Sequence, residues 1–394
     1  MQEQHNIRAA VIGAGNMGSA HISTIGSGKI CGMTLAAVCD ILPKKLDSCQ
    51  HLCPDAARFT RWEDVIQSPE VDAVIIAVPH KLHAEIAIAA LQGGKHVLTE
   101  KPVDVSITRA AALNEAAAHS DRVFGIMFNQ RTNPLFQKAR QIVTSGQLGE
   151  LKRSVWIITN WYRTQHYYDS GSWRATWEGE GGGVLLNQAP HNLDLWQWIC
   201  GMPCEITAFC DIGKYHNIEV EDDVTIFARY ANGATGSFIT STGEYPGTNR
   251  LEISGSKGKL VLENGTLKWW KLREDERDFC YASEKSFSGI ETDYSELQQE
   301  NAGTAHAGIL QNFTNAILHG EPLLAPGAEG IRELTISNAA YLSAWNGSMP
   351  IQIPFDGSSF DRQLAAHITE IHKEQTAESD HCNTSYQQRW QTNW

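Results

Sequence analysis

The sequence predicts an α/β unit on a doubly wound parallel sheet, followed by an α+β unit with an open, mostly antiparallel sheet. Three observations carry this. Apolar runs alternate with amphipathic stretches to about residue 128, the pattern of repeated strand–helix–strand units. Residues 71–78 are almost wholly apolar, as a strand buried on both faces of a parallel sheet is. From Leu151 the apolar period changes to two, and strand-like stretches follow one another without helices between them, which indicates antiparallel pairing.

In chain order, residues 7–12 form the first strand and 17–25 the first helix, joined by Gly13-Ala14-Gly15-Asn16-Met17-Gly18. In a strand-to-helix turn this G-x-G-x-x-G spacing has a mechanical meaning. Gly13 allows the tight turn, Gly15 lets the backbone approach a pyrophosphate, and Gly18 lets helix and strand pack closely, with the phosphates on the helix N-terminus. The second strand, 33–38, ends at Cys39-Asp40. Asp40 stands roughly 20 residues past the glycines, where an acidic residue takes the ribose hydroxyls of a dinucleotide. It would repel a 2′-phosphate, and Ile41-Leu42-Pro43 brings no adjacent Arg; NAD is therefore expected over NADP, with Lys44 and Lys45 the nearest cations.

A helix over 44–52 and the segment 62–67 lead to the strand at 71–78, which ends in Pro79-His80-Lys81-Leu82-His83. A helix over 84–91 closes at Gly93-Gly94, a strand over 95–99 ends at Glu100-Lys101-Pro102, and a helix (107–118) and strand (122–128) complete the set. Ligands of such sheets lie beyond the carboxyl ends of the strands. Pro79, His80, His83, Glu100, Lys101, Asn129 and Arg131 are thus expected to line one crevice, with Gly13, Gly15, Asn16, Met17, Gly18 and Asp40 on its cofactor side.

The second half reads as a helix over 133–145, strands at 151–160, 206–212, 223–230, 234–240, 250–254, 259–262 and 267–272, then helices at 305–318 and 329–344. The residues from Glu378 on are polar, read as a tail. The 394 residues, 42% hydrophobic, suffice for two cores. A net charge of −13 argues against nucleic acid or an anionic membrane as partner, and no apolar run approaches the roughly 20 residues of a membrane span. Nine cysteines without paired CxxC spacing and a polar start without a charged-then-apolar leader point to a reducing, cytoplasmic setting. Cys49, His51 and Cys53 crowd three side chains into one helical turn with no second cluster, so no metal is expected.

Gly13-Ala14-Gly15-Asn16-Met17-Gly18, Asp40, the Glu100-Lys101-Pro102 triplet, Asn129 with Arg131, and Gly181-Gly182-Gly183 followed by His191 resemble, in this order and spacing, the Gfo/Idh/MocA family, named for glucose-fructose oxidoreductase and inositol dehydrogenase. The resemblance runs from about residue 7 to about 354. It implies a Rossmann domain (1–128) and a substrate-binding and oligomerisation domain (129–375), with the polar residues 376–394 left as the tail. The open sheet would have a ligand-facing side and a side used to form a homo-oligomer, a dimer or tetramer.

Oxidising an alcohol needs a base for the hydroxyl proton and a group that holds the oxygen over the nicotinamide. Lys101, at the end of a buried strand with its backbone restricted by Pro102, and His191, after Pro190 in the first turn of a helix, are the candidates. The positive end of the helix dipole would keep that imidazole neutral. In the family the matching His is catalytic, and most members carry Asp four residues before it. Here that position is Asn187, which keeps hydrogen bonding but brings no charge; Asn187 suits a helix cap equally, and Asp194 is a candidate substitute. Trp161, Arg163, His166, Tyr168, Trp173 and Arg174 form an aromatic and basic segment just before the triple glycine, suited to the flat faces and hydroxyls of a sugar ring. With Lys101, Arg131, Asn187 and His191 they make up the expected substrate pocket. The resulting reading is an NAD-dependent oxidoreductase moving a hydride between nicotinamide and a secondary alcohol of a sugar, glycoside or cyclitol. Its rivals are an NAD-dependent glycoside hydrolase acting by transient oxidation and elimination, and a non-catalytic NAD-sensing regulatory protein.

Overall fold

The computed structural model describes residues 6–171, 173–299 and 303–378, with side chains to residue 370. The first domain runs β1 (Ile7–Ile12), α1 (Asn16–Gly26), β2 (Met33–Cys39), α2 (Pro43–Cys49), β3 (Ala57–Phe59), α3 (Trp62–Gln67), β4 (Ala73–Ile76), α4 (His83–Gln92), β5 (His96–Thr99), α5 (Ile107–Ala118) and β6 (Phe124–Ile126). Its strands form one parallel sheet in the order β3-β2-β1-β4-β5-β6. Every residue of β4 and all of β1 but Arg8 are buried, because helices cover both faces. The order reverses between β1 and β4, and the ligand crevice opens beyond the carboxyl ends there. Strand β3 was not expected: three residues at a sheet edge are too short to display a period. The helix expected over 44–52 divides into α2 and a 3-10 turn, Gln50–Leu52.

The second part begins with α6 (Pro134–Thr144), capped by Asn133, whose side chain accepts from Leu135 N at 2.9 Å, with Pro134 at the first helical position. Then come β7 (Leu151–Ile158), α7 (Gln165–Tyr168), α8 (Pro190–Cys200), β8 (Glu205–Ile212), β9 (Glu221–Arg229), β10 (Thr235–Ser241), β11 (Asn249–Gly255), β12 (Gly258–Glu263), β13 (Thr266–Leu272), α9 (Glu276–Ala282), β14 (Thr292–Gln298), α10 (Ala305–His319), α11 (Gly330–Trp345), β15 (Ile351–Gln352) and α12 (Gly357–Glu378). The sheet order is β14-β13-β12-β11-β7-β10-β9-β8-β15. All pairings are antiparallel except that of β7 with β10. Burial alternates along β9, β10 and β11, so one face meets the core while the other leaves Phe209 and Phe227 exposed.

Strand β14 is exposed at every residue and held by its ladder to β13; with no apolar alternation, nothing in its side chains announces it. The short α9 and β15 were likewise unforeseen. Helices α10 and α11 fold back onto the first domain. Gln311 exchanges hydrogen bonds with the Cys31 backbone at 2.8 and 3.0 Å, and Asn338 clamps the entry to α5, accepting from Ile107 N and donating to Val105 O, both at 3.0 Å. Helix α12 reaches Glu378, inside the expected tail; the rest of that tail lies outside the described residues. Among the described residues no helix is long and apolar enough to cross a membrane.

Candidate active site

At the β1–α1 turn the three glycines have three distinct surroundings. Gly13 has φ +97°, and a Cβ there would lie 2.4 Å from Ala77 O; one on Gly18 would lie 1.7 Å from Gly13 O. Neither position admits a side chain. A Cβ on Gly15 would meet nothing within 4 Å, so that edge of the turn is open to a ligand. No side chain caps α1, which leaves its first N–H groups, at Asn16 and Met17, available to an anion. Asp40 directly follows β2, with Oδ2 accepting from Ala14 N at 2.8 Å and Oδ1 from Leu42 N at 2.9 Å, its carboxylate tied to the glycine turn. Lys45 Nζ approaches to 3.6 Å. These residues fit a dinucleotide: the open turn at Gly15 and the uncapped N–H groups of α1 would hold its phosphates, and Asp40 its ribose.

Across the crevice, Lys101 Nζ donates to Asn187 O at 2.6 Å. Burial pushes the ammonium below the usual lysine range against the pull of Glu100, Glu333 and Glu180. Glu100 lies beneath it, buried and bonded to His21 Nε2 at 2.7 Å. Burial alone would raise that carboxyl, but the His21 hydrogen bond and charge, with Lys101 and His306, hold it at about 2. His191, second residue of α8, is held at about 3, first by burial and then by the Lys101 charge. Its Nδ1 is buried without a partner. His80 Nδ1 lies 3.1 Å from Glu180 O, and burial lowers it to about 3; Pro79 is the exposed corner before it. Asn129 Nδ2 meets His306 Nδ1 at 3.3 Å, while its Oδ1 is buried and unpartnered.

Several expected contacts are redirected. Arg131 is 0% exposed. It forms a two-pronged pair with Asp194, Nε to Oδ2 at 2.8 Å and NH2 to Oδ1 at 2.6 Å, and its NH1 reaches Glu329 Oε2 at 2.5 Å. Its guanidinium lies against the Phe128 and Trp198 rings, so Arg131 is a core ion pair and not a substrate group. The same pair occupies Asp194, which is no substitute for the missing acidic partner of His191. His83 is buried with both ring nitrogens on main chain, Pro102 O and Val78 O, each at 2.7 Å, so it braces the crevice walls and offers nothing to a cofactor. Tyr168 is buried, its hydroxyl on Thr242 Oγ1 at 2.7 Å and its ring against His216. His166 is exposed, and Arg163 turns NH1 back to Trp161 O and Tyr162 O. Of the aromatic segment, Trp173 packs under Arg174, Arg174 donates to Tyr167 OH at 2.7 Å, and Trp161 lines a cavity beside His191.

A carboxylate lies against the Asn187 amide, that of Glu180. It is 1% exposed; Oε2 accepts from Ala175 N at 2.7 Å, and Oε1 accepts from Asn187 Nδ2. Burial raises this carboxyl, opposed by the Ala175 N–H, Arg174 and Lys101. Asn187 Nδ2 also reaches Tyr167 OH at 3.3 Å. Lys101, Asn187, Glu180, Tyr167 and Arg174 therefore form one hydrogen-bonded wall.

Two family models match consecutive stretches of the chain. Residues 7–128 match the oxidoreductase family with an NAD-binding Rossmann fold, and 136–261 match the GFO/IDH/MocA C-terminal domain. The chain belongs to the GFO/IDH/MocA family. It is an oxidoreductase with an NAD-binding domain. Levoglucosan dehydrogenase from Pseudarthrobacter phenanthrenivorans is 25% identical over 86% of this chain and 96% of its own length. The NAD(+)-dependent scyllo-inositol 2-dehydrogenase of Bacillus subtilis is 25% identical over 89% of this chain and 97% of its own. The crystal structure of the WlbA dehydrogenase from Bordetella pertussis, in complex with NADH and UDP-GlcNAcA, superposes with a TM-score of 0.74 at 25% identity, covering 89% of this chain and all of that one.

Against the family pattern, the residues that sequence reasoning missed are those reached only through the fold. His21, His306 and Glu333 come from α1, α10 and α11, distant in sequence from Lys101. Glu333 is fully buried with neither carboxylate oxygen bonded, and burial drives it well above the ordinary carboxyl range. Glu180 had one signal in the sequence, an acidic residue directly before three glycines. In the structure, a Cβ on Gly182 or Gly183 would run into Tyr341 Oη or Glu221 O, so the chain lies tight there.

Proposed function

We propose that the protein is an NAD-dependent dehydrogenase of a secondary alcohol on a polyhydroxylated ring, a sugar, glycoside or cyclitol. The observation that carries the reading is the opposition of Lys101, anchored through one N–H to Asn187 O, and His191, neutral with a buried, unpartnered Nδ1. An ammonium has three donors; with one on Asn187, two remain to hold the substrate oxygen. Bound NAD supplies the hydride acceptor. His191 in its neutral form takes the hydroxyl proton, and the nearby Lys101 charge disfavours keeping it there, which favours onward release. Glu180 acts as a positioning residue, fixing the Asn187 amide and so the carbonyl that aims Lys101. The names of the two curated relatives, dehydrogenases of levoglucosan and of scyllo-inositol, fit a substrate of this class. A second copy of the chain covering Phe209 and Phe227 on the outer sheet face would complete a homo-oligomer.

The test is a panel of inositols, hexoses, glycosides and uronic acids against 2-hydroxy acids and simple secondary alcohols, read by NADH absorbance. NADH should accumulate with product on the polyhydroxylated rings; release of an aglycone without NADH would instead indicate redox-neutral hydrolysis. Lys101→Ala and His191→Ala should each lower kcat by roughly 100-fold or more while NADH binding stays within a few-fold. Full activity in either variant removes that residue from the mechanism.

A further inference from the structure

A cavity of about 200 Å³ is lined by His191 and extends along β7, β11 and β12 to the β12–β13 hairpin. None of Lys101, Asn187, Glu180, Tyr167 or Arg174 lines it, so a ring presenting its alcohol to both Lys101 and His191 lies outside it, on the Lys101 side. The volume corresponds to roughly seven waters, the scale of one small polar unit. Its lining has two chemical characters. Flat apolar surface comes from Trp156 and Trp161, and carboxamides come from Asn160, Asn192, Asn249 and Gln299.

Three polar atoms of lining residues are buried without partners: Trp161 Nε1, His191 Nδ1 and Asn192 Oδ1, the last on a residue only 6% exposed. Indole N–H can only donate and an amide oxygen can only accept. An anion would satisfy the first and oppose the second; Glu263 in the lining is already paired with Arg250 NH1 at 2.7 Å. A hydroxyl donates and accepts together, and a ring bearing several of them also offers an apolar face to the tryptophans.

We propose that this cavity is a second carbohydrate subsite, so that the physiological substrate has two units: the ring oxidised between Lys101 and His191, and a neutral polyhydroxylated unit joined to it and seated against Trp161 and Asn192. This rests on the dehydrogenase reading given above for the first ring.

The experiment compares two-unit compounds (cellobiose, maltose, gentiobiose) with single rings (methyl glucoside, myo-inositol) on the NAD-loaded protein. Turnover is read as NADH, and binding to the NADH complex by calorimetry. Thr266→Trp fills the far end of the cavity, and Gln299→Ala removes a carboxamide there without adding bulk. At least one two-unit compound should exceed the single rings in kcat/KM by about tenfold or more, and each variant should reduce that ratio. Equal turnover of one- and two-unit compounds, unchanged in both variants, overturns the subsite and leaves the dehydrogenase reading in place. Binding of a two-unit compound that Thr266→Trp abolishes, with no NADH from any polyol, supports the subsite and overturns the dehydrogenase reading. Absence of both binding and turnover overturns both.

Discussion

Replacing Arg131 by Met separates a core ion pair from a substrate group. In the native fold the guanidinium has no exposure and spends Nε and NH2 on Asp194, and NH1 on Glu329 and on Leu324 O at 3.1 Å. Met fills similar space against Phe128 and Trp198 but leaves Asp194, 1% exposed, with only the Gln197 amide at 2.9 Å. Removing one partner of such a pair costs roughly 3–5 kcal/mol, because the other charge remains buried. At roughly 2–4 °C per kcal/mol for a domain of this size, the unfolding transition should fall by roughly 6–20 °C. Burial already raises the Asp194 carboxyl against the pull of Arg131; without Arg131 it rises further. A carboxyl raised in the folded state stabilises below its unfolded pKa and loses that contribution as pH rises, so the deficit of the variant should grow from acid toward neutral pH. The double variant Arg131→Met, Asp194→Leu should recover most of the loss, since a well-packed apolar pair replaces a buried ion pair at little net cost. Thermal and denaturant unfolding of the three proteins measures this, with kinetics taken well below the transition. An Arg131→Met protein whose Tm stays within about 2 °C of wild type while its KM rises several-fold would refute the core assignment and return Arg131 to the substrate.

Two further outcomes follow from the site. Asn187→Asp places a second carboxyl in hydrogen-bond contact with Glu180, so the two should share a proton and the pair should titrate at a higher apparent pKa than Glu180 alone; kcat against pH should move its acidic limb upward, and an unchanged profile would show that the Asn187–Glu180 contact does not bear on catalysis. His191 is at about 3 in the fold against 6.5 unfolded, so below pH 6.5 the unfolded chain binds more protons at this residue and the fold loses stability as pH falls toward 3. His191→Asn should therefore gain on wild type by about 2–3 kcal/mol between pH 7.5 and 4.5, seen as converging or crossing Tm curves; parallel curves would mean that the imidazole is not held neutral.

The strand–turn–helix order and the glycine spacing were legible because they are local. A buried parallel strand must be apolar along its length, and a turn that a Cβ would clash with must be glycine, whatever lies elsewhere. Gly13, Gly15 and Gly18 could be placed at the β1–α1 turn from sequence for that reason. The antiparallel strands with one buried face announced themselves by alternation, whereas β14, exposed throughout and held by main-chain bonds, left no side-chain trace. Tertiary structure alone decided how the polar groups were assigned. Arg131 and Asp194 lie 63 residues apart, and only their meeting in the core shows that each satisfies the other. Asn187 is a local departure, but Glu180 beside its amide and the Asn187 carbonyl on Lys101 arise from the packing of separate segments. A charged or hydrogen-bonding side chain is defined by its partner, and in this fold most of the partners are supplied from across the chain.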